Sequence, residues 1–143
     1  MNKLSIRQAA EADIPAMSAI RLAVRENVLS NPARVTPQMY RDYLDTLGRG
    51  WVCELDGEIV GFSYAAHEDA SIWALFVQPA FEGRGIARRL LGLATDYLFS
   101  LGKQQVVLST TADTRADRFY AAQGWTRGTM KDDVEVLFTL PRP

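Results

Sequence analysis

The segment Glu82-Gly83-Arg84-Gly85-Ile86-Ala87-Arg88-Arg89 is the part of this chain best equipped to hold a ligand. Three arginines against one glutamate give it a local charge of +2, in a chain whose formal net charge is -1. Its two glycines put no Cβ between the backbone and an approaching group. An apolar run, Ile72 to Val77, leads into it, and a helical apolar pattern starts at Ile86. A loop that opens a helix presents unpaired N–H groups and the positive end of the helix dipole. Such a place suits an anion, and a phosphate-bearing ligand above all. The nucleotide loop G-x-x-x-x-G-K-[ST] is absent, and G-x-G-x-x-G fails because Arg88 stands where the third glycine belongs. Gly-x-Gly alone also fits an ordinary loop before a helix.

Other reactive groups are few. One cysteine, Cys53, makes no intramolecular disulfide, and with one histidine, His67, it offers no ordinary zinc site. Cys53 reads as a strand residue packed on an apolar face. His67, Glu68 and Asp69 fall together in a polar turn, where a histidine is ordinarily solvated. The 143 residues are 48% hydrophobic and 23% charged, values of a globular domain, and the length fits one domain over 1–143. The longest uncharged stretch, Ala70 to Phe81, is too short for a membrane span, and the first residues carry no signal-peptide pattern. Near-neutral charge argues against a nucleic-acid partner. A cytoplasmic setting, with no membrane and no metal, is the expectation.

These residues need elements to hold them. The sequence predicts a strand over 4–7, then a helix capped by Asp13, with Ile14, Met17, Ile20, Val24 and Val28 on one face. Thr36-Pro37 opens a second helix with Tyr40, Tyr43, Leu44 and Leu47 inward and Gly48 as its stop. Strands 51–55 and 59–64 flank Asp56-Gly57, a strong hairpin signal. The run 72–77 reads as a central strand covered on both faces. A long helix begins near Gly83, with Ile86, Leu90, Leu93, Tyr97 and Leu101 on one side, supported by Ala87, Leu91, Ala94 and Leu98. A strand over 106–108, a short helix from Arg115 to Gln123 and a closing strand over 134–140 complete the chain. The fold class is α/β (α+β): a mixed sheet with helices on both faces.

The stretch Leu75-Phe76-Val77-Gln78-Pro79-Ala80-Phe81-Glu82-Gly83-Arg84-Gly85-Ile86-Ala87 resembles the coenzyme A-binding motif of the GNAT superfamily of N-acetyltransferases. Glu82 stands where that motif usually has Gln or Arg. Phe119-Tyr120-Ala121-Ala122-Gln123-Gly124-Trp125 is similar to the family's Phe-Tyr-x-x-x-Gly-aromatic segment, with Asp113 where Asn is usual and Ala116 in place. Ile6 to Ile14 and Gly57 to Phe62 also resemble the family's first strand and central hairpin, so the likeness runs through nearly the whole chain in order.

The resemblance implies a mostly antiparallel sheet of about six to seven strands with about four helices. It implies acetyl transfer from acetyl-CoA to a primary amine by direct attack in a ternary complex. Coenzyme A contacts fall on Phe76, Val77, Glu82, Gly83, Arg84, Gly85, Ile86, Ala87, Arg88 and Asp113. The central strand and the one after the long helix are expected to splay around the pantetheine arm. Tyr120 takes the family's proton-donor position; a phenol with pKa ~10 meets a thiolate of ~8.5, so its positioning matters more than its acidity. Glu68 is the carboxylate assigned to relay the amine's proton, with Asp69, His67 and Glu26 as open alternatives. Trp73, Tyr40 and Tyr43 either line an acceptor pocket or pack in the core. Family members often pair, so a homodimer is an open option. The competing readings are a non-catalytic acyl-CoA sensor, favoured by the departures at Glu82 and Asp113, and an unrelated phosphate-binding module.

Overall fold

A computed structural model describes residues 4–23, 37–44 and 46–143. Among them seven strands form one sheet in the order β1-β2-β3-β4-β5-β7-β6, with β1 Leu4–Gln8, β2 Gly48–Leu55, β3 Glu58–Ala66, β4 Ser71–Val77, β5 Gln105–Thr111, β6 Thr126–Met130 and β7 Glu135–Pro141. Among the described residues four α-helices accompany it: α1 Ile14–Ala23, α2 Pro37–Asp42, α3 Ile86–Ser100 and α4 Arg115–Ala122. Every neighbouring pair is antiparallel except β4 and β5, which run parallel. The mixed, mostly antiparallel sheet of the sequence reading is therefore the observed one.

Side-chain alternation divides the core between the two faces of the sheet. Cys53, Val60, Val106 and Phe138 meet Ile86, Leu90, Leu98 and Tyr120 on the α3/α4 face. Val52, Phe62, Tyr64 and Ala74 meet Met17, Ile20 and Tyr40 on the α1/α2 face. Ser63, fully buried, donates its hydroxyl to the Leu90 carbonyl at 3.1 Å, so strand and helix are pinned through a satisfied polar group. Asp56 and Gly57 both have positive φ (53° and 85°), the conformation of a tight hairpin turn.

Several expectations are corrected. Asp13 does not cap α1. It ends a short 3-10 turn, and its carboxylate accepts the Ala10 N–H at 2.8 Å and two Arg7 N–H groups at 2.7 and 2.8 Å. Those bonds hold its carboxyl below the usual range. Gly48 does not stop α2 but begins β2, where a Cβ would drive into the Ala65 carbonyl. Helix α3 begins at Ile86, not Gly83. Its buried face is Ile86, Leu90, Leu91, Ala94 and Leu98, while Leu93 and Leu101 are exposed. Strand β6 has no counterpart in the sequence pattern, because every one of its residues is exposed and no apolar alternation marks it. Val24, Glu26, Val28 and Thr36 lie outside the described residues. No helix among the described residues is long and apolar enough to cross a membrane.

Candidate active site

Strands β4 and β5 are each seven residues long, yet they share one ladder pair, Ser71 with Val107, beside a bond from the Val107 N–H to the Ala70 carbonyl at 3.0 Å. Beyond that point they diverge. Against β3, β4 carries an extra residue at Trp73: Tyr64 faces Ala74, while the next residue, Ala65, faces Ile72. A bulge of this kind adds local twist and re-aims the strand. The β4 backbone past Ser71 therefore has no strand partner on its β5 side, and its N–H and C=O groups on that edge are open to an amide-bearing ligand.

The divergence opens a cleft of about 1020 Å³. Its walls include Ile72 to Val77 of β4, Val107 to Thr110 of β5, and Ala116, Phe119 and Tyr120 of α4. Arg21 of α1, Met39 of α2 and Glu135 and Leu137 of β7 line it as well. It thus has walls on both faces of the sheet. Tyr120 stands on the α3/α4 side, buried, with its ring set against Phe119, Trp125 and Phe138.

At the C-terminal end of β4 the chain turns through Pro79–Phe81 into the loop before α3. Gly83 and Gly85 both have φ of 78°, and a Cβ on either would meet no atom within 4 Å. The loop needs these glycines for their backbone conformation, not for internal space. Gly85 is the N-cap residue of α3, whose first N–H groups have no helical partners. Glu82, Gly83, Gly85, Ile86, Ala87 and Arg88 all line the cleft. The Glu82 carboxylate, unexpected beside an anion site, is ion-paired with Arg115 at the start of α4. The pair neutralises the carboxylate and ties the loop to the helix that carries Tyr120.

Helix α4 is anchored by a compact network. Thr114 caps it, accepting the Asp117 N–H at 3.3 Å and donating to the Thr111 carbonyl at 2.7 Å. Asp117, buried, accepts the Asp113 N–H at 2.8 Å and two Arg127 nitrogens at 3.1 Å. The Arg127 guanidinium holds the Asp117 carboxyl below its ordinary range. Asp113 has φ of 62°, a region that Asn and Asp enter more readily than other non-glycine residues.

The structure brings Phe76, Val77, Glu82, Gly83, Gly85, Ile86, Ala87, Arg88 and Tyr120 to one cleft. Others lie elsewhere. Arg84 is not a lining residue; its guanidinium sits 5.4 Å from the centre of the Phe81 ring. Asp113 is exposed, 3.7 Å from Arg127, and belongs to the α4 anchor. Glu68 is also absent from the cleft: it lines a second, smaller cavity with Tyr43, His67 and Lys103. His67 there meets the Tyr97 hydroxyl at 2.5 Å. Asp69 borders both cavities. Cys53 is fully buried, which pushes its thiol up, and it does not reach the cleft. Trp73 lines the cleft, whereas Tyr40 is core.

Sequence reasoning missed Arg115, Ser109 and Glu135. Glu135 carried a signal: it is a carboxylate inside the otherwise apolar run Val134 to Leu140.

A splayed parallel pair with a glycine loop and helix start at its open end defines an α/β fold whose cleft ends at an anion-suited site. Residues 16–125 match the model of the acetyltransferase (GNAT) family, and the chain belongs to that family. Curated relatives include an uncharacterized N-acetyltransferase of Archaeoglobus fulgidus, 34% identical over 82 residues, covering 50% of this chain and 56% of the relative. Another, from Methanocaldococcus jannaschii, is 33% identical over 85 residues, covering 52% of this chain and 38% of the relative. The matches thus span roughly two-fifths to just over half of those relatives. Among solved structures, Ard1 from Thermoplasma volcanium superposes with a TM-score of 0.80 at 18% identity, covering 98% of each chain. The PaiA N-acetyltransferase of Thermoplasma acidophilum, solved with coenzyme A, gives 0.78 at 13% identity, covering 98% of this chain and 99% of that one.

Proposed function

We propose that this protein transfers the acetyl group of acetyl-CoA to a primary amine. The observation that carries the reading is the single ladder pair between β4 and β5, with the cleft it opens running to the Gly83–Arg88 loop. The open β4 edge would hold the amides of a pantetheine arm, and the loop with the N-terminus of α3 would hold a pyrophosphate. Acetyl-CoA would supply the activated acyl group, and this chain's residues would place and protonate the reacting groups. A backbone N–H near Val77 would polarise the thioester carbonyl. Tyr120 borders the cleft from α4 and would deliver a proton to the departing sulfur through its Oη. The pairing of Glu82 with Arg115 supports the reading, since it removes a free negative charge from beside the phosphate position.

The test is release of free thiol from acetyl-CoA in the presence of a panel of amines: n-butylamine, spermidine, tyramine, lysine and a short peptide with a free N-terminus. Amine-dependent thiol release with acetylated product is the expected result. Binding of acetyl-CoA with no turnover over the whole panel would instead favour an acyl-CoA sensor.

A further inference from the structure

Glu135 stands out among the charged groups that border the cleft. It is half-buried at the start of β7, one residue before fully buried Val136, so it faces away from α3 and α4. Ser109, on the same face of β5, donates its hydroxyl to Glu135 Oε1 at 3.4 Å. Both line the cleft on the side opposite Tyr120. Of the other two carboxylates that border the cleft among the described residues, Glu82 is paired with Arg115, and Asp69 lies in the exposed β3–β4 turn accepting the Ser71 hydroxyl at 2.7 Å. Glu135 has no ion pair among the described residues; Lys131, in the turn before β7, and Arg21, on α1, border the same cleft beyond salt-bridge distance of it. A half-buried carboxylate that borders the cleft without an ion-pair partner is a group an incoming ammonium can pair with.

We propose that Glu135 receives the acceptor's ammonium group and takes its proton, with Ser109 orienting the carboxylate; the inference rests on the acetyl-transfer reading above. The acceptor then enters from the α1/α2 face while Tyr120 serves the leaving sulfur from the other face. The protons balance. An ammonium nitrogen that becomes an amide loses two: one passes to the Glu135 carboxylate and then to solvent, and the other ends on sulfur by way of Tyr120. The C–N bond forms as the C–S bond breaks, and nothing is oxidised or reduced.

The experiment compares wild type with Glu135→Gln at pH 8.5 on the amine that turns over fastest in the panel, and on its analogue carrying two fluorines on the carbon beside the amine carbon, whose more acidic ammonium is mostly neutral at that pH. Loss of a proton acceptor predicts a fall of about 100-fold in kcat/KM for the ammonium substrate, the lower end of general-base effects. The KM for acetyl-CoA stays at the wild-type value, which also reports an intact fold. The defect shrinks on the neutral amine, because one proton no longer needs removing, and Glu135→Asp restores part of the rate on the ammonium. Wild-type kcat/KM in Glu135→Gln overturns the assignment, as does an equal loss on both amines. If the wild type binds acetyl-CoA but acetylates nothing, the transfer reading itself fails and takes this inference with it.

Discussion

Gly85→Ala separates what the loop before α3 does for the fold from what it does for a ligand. Gly85 has φ of 78° and ψ of 8°, and an added Cβ meets no atom within 4 Å. The fold therefore pays no steric cost, only the left-handed strain of an L-residue, about 1–2 kcal/mol. For a chain of this length that lowers Tm by roughly 3–6 °C. The methyl group occupies open space beside the first N–H groups of α3, where a pyrophosphate would sit. Displacing one charge-assisted hydrogen bond, worth ~1.5–3 kcal/mol, weakens coenzyme A binding roughly 10- to 150-fold. Thermal melts of the unliganded protein and calorimetric titration with coenzyme A measure the two effects separately. A Tm drop of the expected size with an unchanged Kd would refute the placement of the phosphates on this loop. A loss of stability well beyond about 3 kcal/mol would refute the premise that the strain is conformational only.

Tyr120→Phe keeps the ring packing against Trp125 and Phe138 but removes the hydroxyl, so kcat should fall about 100-fold with the melting temperature near wild type; an unchanged rate would remove Tyr120 from the reaction. Gly48→Ala should cost about 3 kcal/mol in urea denaturation, since its Cβ runs into the Ala65 carbonyl of the paired strand; a neutral result would mean the β2–β3 pairing is looser than described. Asp13 and Asp117 both have carboxyl pKa values held down by arginines, so the unfolded chain binds more protons in the acid range. Their stabilisation is complete above the ordinary carboxylate range, about pH 4, and drains away as pH falls below it. Asp117→Asn should flatten that acid limb of the stability curve.

The loop from Glu82 to Arg89, the hairpin turn at Asp56-Gly57 and the apolar strand 72–77 were legible because each is a local pattern: glycine conformation, turn chemistry or an unbroken apolar run. The buried face of α3 was half legible, because its apolar residues wrap so far round the helix that spacing alone does not choose between Leu93 and Leu91. Strand β6 was not legible at all. It is held by pairing with β7 and has no buried face to leave an alternation.

The sequence by itself determined the order of most elements, β6 excepted, and the phosphate-suited loop, since these follow from neighbours within one turn or one strand. Only the tertiary structure decided which charges meet. Glu82 lies 33 residues from Arg115, and Ser109 lies 26 from Glu135, so no spacing rule links either pair. It also decided that Glu68 belongs to a different cavity from Tyr120. The cleft itself is a tertiary fact. It exists because two parallel strands bond at one pair and then part, and strand divergence depends on a bulge against a third strand rather than on any residue type at the opening.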